Sequence, residues 1–133
     1  MSTITRGGPF AYASSLAIDV ATMSLVPEAD TVRNETRLVF DRITAQLESK
    51  GASLGDVIKT TCYLRDESYL AEFVQAYDEV FQSHSPATHI AILGIAGNCR
   101  VQIEVVATRT PAERDEHAPI PSAVNTLDRK ESQ

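Results

Sequence analysis

The chain is 133 residues long with a formal net charge of −6, a length that suits one domain with a substantial core rather than two. No cluster of lysines and arginines stands anywhere along it, which argues against gripping a phosphate backbone and so against a nucleic-acid partner. No apolar run approaches the ~20 residues that cross a bilayer, and the N-terminus lacks the apolar stretch of a signal peptide, so the expectation is a cytoplasmic protein with no membrane association.

Residues 2–6 alternate weakly, and Gly7, Gly8 and Pro9 supply a turn, so residues 10–18 read as the second arm of a β-hairpin. From Asp30 the period becomes helical. Val32, Thr36, Val39, Phe40, Ile43 and Leu47 recur at three- and four-residue spacing, while Arg33, Asn34, Arg37, Asp41, Arg42 and Gln46 make a solvated face. Asp30 or Thr31 can cap the first turn, and Gly51 after Lys50 can close the last one in the left-handed conformation. A short polar loop over 53–56 leads into a strand over 57–64. Its alternation puts Ile58, Thr60, Cys62 and Leu64 on one side and Lys59, Thr61 and Tyr63 on the other.

Asp66 or Ser68 caps a second helix whose apolar stripe is Leu70, Phe73, Val74, Tyr77, Val80 and Phe81, a stripe that reads as core rather than as a ligand box. Pro86 ends it. Strands follow over 88–93 and 100–108, joined by a small-residue loop. In the last, Val101, Ile103, Val105 and Ala107 share one face, and Arg100, Gln102 and Glu104 the other. The order β-β-α-β-α-β-β gives an α+β fold, a single sheet with two helices on one side. The side bearing Tyr63, Gln102 and Glu104 then needs another cover, which a symmetric oligomer supplies. Residues 1–108 form the domain. Residues 109–133 show no period and are expected as an extended tail, mobile or docked on a neighbouring subunit through Ile120, Val124 and Leu127.

Cys62 and Cys99 have neither CxxC spacing nor a nearby pair of histidines, which predicts reduced structural thiols and no metal. Ser14, Ser15 and Tyr12 bring hydroxyls toward one mouth, with no visible His-Asp partner for a serine nucleophile.

The run GASLGDVIKTTCYL from Gly51 to Leu64, preceded by Asn34-Glu-Thr-Arg-Leu38 and followed by the aromatic helix and Pro86-Ala87, resembles the RidA/YjgF family of small trimeric proteins over about residues 10–108. That resemblance implies a chorismate-mutase-like fold of the bacillary type, a homotrimer with a barrel-like centre and pockets at the subunit boundaries, and hydrolysis of reactive enamines and imines without a cofactor. It also marks departures. The family arginine after Pro-Ala, which clamps a substrate carboxylate, is Thr88 here, and the glutamate two residues before Glu104 is Gln102, an amide that cannot act as a general base. A pocket asparagine is Val74, the glycine of a Ser-Gly pair is Ser15, and the Pro and Gly of a turn over 19–24 are both replaced, which predicts a looser loop.

Glu104 and His89 are the candidates for proton transfer. Alternation sets His89 against Thr88 on opposite faces, and a hydrogen-bonded structural histidine is the competing reading. Tyr12, Ser14, Ser15, Thr88, Gln102 and Arg100 are the candidates for substrate contact. The expected substrate is a small imine, enamine or unsaturated metabolite without an α-carboxylate, undergoing deamination, water addition or a related proton shift or cyclisation. The alternative is a non-catalytic trimer that binds a small molecule or a partner protein. A ribonuclease ranks last on charge.

Overall fold

The computed structural model describes residues 4–109; of the expected tail, all but Arg109 lies outside them. Strand β1 (Ile4–Gly7) turns into β2 (Phe10–Leu16), and a miniature hairpin of β3 (Ile18–Asp19) and β4 (Ser24–Leu25) precedes α1 (Val32–Glu48). Then come β5 (Val57–Leu64), α2 (Leu70–Val80), β6 (Ala87–Ile92) and β7 (Val101–Thr108). The main sheet has the order β1-β2-β7-β5-β6, with β5 and β6 parallel and every other pair antiparallel. This is the β-β-α-β-α-β-β order read from the periodicity, with the β3–β4 hairpin added.

One face of the sheet is mostly apolar because β2, β7 and the later part of β5 alternate: Ala11 and Ala13 on β2, Cys62 and Leu64 on β5, and Val101, Ile103, Val105 and Ala107 on β7 are all buried. Against them α1 lays Val39, Phe40, Ile43 and Leu47, and α2 lays Phe73, Ala76 and Tyr77. Phe40, Tyr77 and Phe81 close into a ring cluster with centroids 4.9–5.9 Å apart, each buried side chain of this size contributing ~2–3 kcal/mol. Thr31 caps α1 by accepting from the Asn34 amide at 3.0 Å, and Gly51 closes the far end at φ 77°.

Four local expectations change. The strand parity at the start of β5 fails because a bulge between Val57 and Lys59 inserts Ile58 as an unpaired residue, so Val57 enters the core and Ile58 is 47% exposed. Val74 is likewise exposed, and Ala76 takes its place in the α2 stripe. The loop over 19–24 is not loose. Met23 adopts the left-handed conformation at φ 56° that a glycine would otherwise supply, its amide donates to the Asp19 carbonyl at 2.6 Å, and the Asp19 carboxylate accepts from Ala21. Finally, the charged side of α1 is not all solvated: Arg42 donates to the carbonyls of Leu16 and Ile18 at 2.8 and 3.0 Å, tying the helix to the end of β2.

Candidate functional site

The face of the sheet away from the helices is where unspent chemistry gathers. Pairing across β2, β7, β5 and β6 sets Ser14, Glu104, Thr61 and His89 side by side in one row of that face. The row on one side holds Tyr12, Val106 and Lys59, and the row on the other holds Gln102 and Tyr63. Neighbouring strands lie ~4.8 Å apart, so side chains in adjacent rows and strands can touch. Tyr63 reaches its neighbour and donates to Glu104 Oε1 at 2.6 Å. That hydrogen bond to the carboxylate holds the Tyr63 phenol above its ordinary range. Among the described residues Oε2 of Glu104 carries no partner.

Tyr12, Ser14, Lys59, Thr61, Glu104 and Val106 line a hollow of about 320 Å³ on this face. Among the described residues its lining carries one carboxylate, with an oxygen left to accept a proton from water, one ammonium that can hold an anion, and hydroxyls that can orient a small polar molecule between them.

Of the residues singled out in the sequence, Glu104, Tyr12 and Ser14 meet in this hollow. Gln102 shares the face, one row away. His89 belongs to the row of Glu104, but Thr61 stands between them, leaving two strand spacings, roughly 10 Å, and no direct hydrogen bond. Ser15 does not join them. It is the next residue along β2 and so turns inward, 7% exposed, with its hydroxyl donating to the Leu16 carbonyl at 3.4 Å.

Thr88 is also turned away, in line with its alternation against His89. Its hydroxyl meets Tyr77 Oη at 2.7 Å on the helix side, where Tyr77 also meets Thr60 at 2.7 Å. Burial raises the Tyr77 phenol above its ordinary range, more than these hydroxyls lower it.

Arg100 lies elsewhere and is occupied. Glu35, fully buried on α1, accepts from Arg100 Nε at 2.7 Å, from the Arg100 amide at 2.7 Å and from the Val101 amide at 3.0 Å, while Arg100 Nη2 donates to the Ala29 carbonyl at 2.6 Å. Arg100 borders a second hollow of about 350 Å³ together with Arg65, whose guanidinium donates to Tyr69 Oη at 3.2 Å. The guanidiniums there are already engaged, so the hollow at Glu104 is the better candidate.

Sequence reasoning placed Lys59 and Thr61 on the correct face but left them out of the site. The signal was present in the alternation of β5. Both cysteines are buried, burial pushes the Cys62 thiol up to about 12, and the described residues contain no His, Cys, Asp and Glu grouping able to hold a metal. No helix among them is long and apolar enough to cross a membrane.

The family model described as Endoribonuclease L-PSP matches residues 2–109. A RutC family protein of Pyrococcus horikoshii is 32% identical over 80% of this chain and 84% of its own. The 2-iminobutanoate/2-iminopropanoate deaminase of Salmonella typhimurium is 25% identical, covering 77% of this chain and 88% of its own. Among solved structures, RidA from the Antarctic bacterium Psychrobacter sp. matches with a TM-score of 0.71 at 25% identity, covering 81% of this chain and 87% of that one. Yeast Mmf1, with a TM-score of 0.74 at 21% identity over 83% and 87%, shares the fold.

Proposed function

This chain belongs to the endoribonuclease L-PSP family, and from that membership we propose that it is a RidA-like enzyme that hydrolyses a small imine or enamine, with Glu104 as the proton-transfer group. The observation that carries this reading is the Glu104 carboxylate, which lines the hollow of the open face with Oε1 fixed by Tyr63 and Oε2 without a partner among the described residues. An enamine first shifts a proton from nitrogen to carbon to become the imine; Glu104 then takes a proton from water as the oxygen attacks the C=N carbon and passes that proton to the nitrogen, giving the carbinolamine. The carbinolamine then collapses: Glu104 takes the hydroxyl proton and delivers it to the nitrogen, the C–N bond breaks as C=O forms, and the products are a carbonyl compound and ammonia. Gln102, one row away, can orient water but cannot take its proton.

A homotrimer is part of this reading. The open face carries Tyr12 at 40% exposure beside Glu104 and Lys59, and a sister subunit laid over it would exclude water from the hollow. The experiment is clearance of an enamine generated in place by an amino-acid dehydratase, followed as ammonia release. Acceleration by this protein is the expected result.

The turning of Thr88 onto Tyr77, which leaves no cation at that edge of the sheet, favours a second reading, a trimer that binds a small molecule without turning it over. Clearance no faster than in buffer decides for that one.

A further inference from the structure

Two side chains of opposite charge line the hollow of the open face and do not meet. Lys59 stands beside Val106 in the row next to that of Glu104, yet its ammonium forms no ion pair among the described residues, while Glu104 leans to the opposite side to accept from Tyr63. A cation and a carboxylate therefore stand apart within a space of about 320 Å³, with the hydroxyls of Tyr12, Ser14 and Thr61 around them. Among the described residues Lys59 is the sole cation lining it. Arg100 and Arg42 are spent elsewhere, Arg100 on Glu35 and the Ala29 carbonyl, and Arg42 on the carbonyls of Leu16 and Ile18.

We propose that Lys59 is the specificity-determining residue of this site, receiving the anionic end of a small carboxylate-bearing ligand whose other end faces Glu104. Recognition of charge then belongs to β5, and not to the edge strand β6, where Thr88 has only a hydroxyl committed to Tyr77. The proposal rests on the imine-hydrolase reading for the reacting end alone. It replaces the expectation of a carboxylate-free substrate, which followed from the missing arginine and took no account of Lys59. An ammonium is a compact point charge that needs no planar partner, so it can hold a carboxylate end-on through a single charge-assisted bond.

The test is calorimetric titration of the full chain with pyruvate and with its uncharged amide. Wild type is expected to bind pyruvate more tightly than the amide. Lys59→Gln should weaken pyruvate by about tenfold or more, as loss of a charge-assisted bond does, with little change for the amide, and Lys59→Arg should keep most of the pyruvate affinity. Equal pyruvate binding by wild type and Lys59→Gln, an amide bound as tightly as the acid by wild type, or no pyruvate binding at all overturns the proposal. The wild-type comparison needs no variant to fold. Enamine clearance on the same protein keeps the two readings apart: pyruvate bound through Lys59 without clearance sinks hydrolysis and leaves anion recognition standing, and clearance without pyruvate binding does the reverse.

Discussion

The two faces of the one sheet are cut from the same strands and put polar groups to opposite uses. Under the helices polar atoms are consumed internally: Tyr77 bridges Thr60 and Thr88, and Glu35 takes three donors from Arg100 and Val101. On the open face Glu104 spends one oxygen on Tyr63, and among the described residues Lys59 spends nothing on a countercharge. The difference follows from burial. A group shut away from water must be satisfied within the chain, whereas one on an accessible face can wait for a ligand. Reactive capacity in this fold is therefore to be sought opposite the helices.

The sharpest way to break the contrast is at its most buried charge. Glu35→Ala strands Arg100 and two backbone amides, and should cost roughly 3–5 kcal/mol, read as a fall in the urea midpoint; an unchanged midpoint would mean that the covered face does not depend on internal pairing. Tyr77→Phe removes the hydroxyl shared by Thr60 and Thr88 and should cost about 1–3 kcal/mol by the same assay.

A smaller effect should appear at high pH. Burial holds the Cys62 thiol at about 12 against an ordinary value of 9.0, so above pH 9 the unfolded chain loses this proton while the folded chain keeps it. Stability is complete below that pH and falls as pH rises, by ~1.4 kcal/mol for each unit of the window. Tyr77, raised from 10.0 chiefly by burial, adds a fall of the same sign at higher pH. Cys62→Val should flatten the thermal-midpoint profile between pH 9 and 10, and a profile as steep as wild type would contradict the assignment to Cys62.

The fold was legible because hydrophobic period survives in nearly every element: residues 32–47 and the alternate positions of β7 are buried as their spacing requires. Failures came where a single residue breaks parity or hides its role. The bulge at Ile58 shifts the start of β5 by one position, and no local residue announces it. Glu35 fits the buried stripe, lying three residues after Val32 and four before Val39, but a carboxylate at that position gives no sign of the Arg100 contact that lets it be buried. Met23 kept a tight turn without glycine because one left-handed residue of another type is tolerable at a modest cost.

The site was legible by half. Alternation alone placed Glu104, Lys59, Thr61 and Tyr63 on one face, yet grouping Ser15 with Ser14 overlooked that adjacent strand residues point to opposite sides. Alternation extended one residue too far drew Arg100 to the site, since β7 starts at Val101 and nothing in the sequence reveals a partner 65 residues away.

The central claim concerns Glu104, and Glu104→Gln addresses it with two readouts on one protein, ammonia release from a dehydratase-generated enamine and the urea midpoint. Because glutamine keeps the shape and an oxygen that can accept from Tyr63, the midpoint should hold within about 0.5 kcal/mol while turnover drops roughly 100-fold or more, the scale of a lost general acid–base. Turnover equal to wild type in a folded Glu104→Gln protein would contradict it.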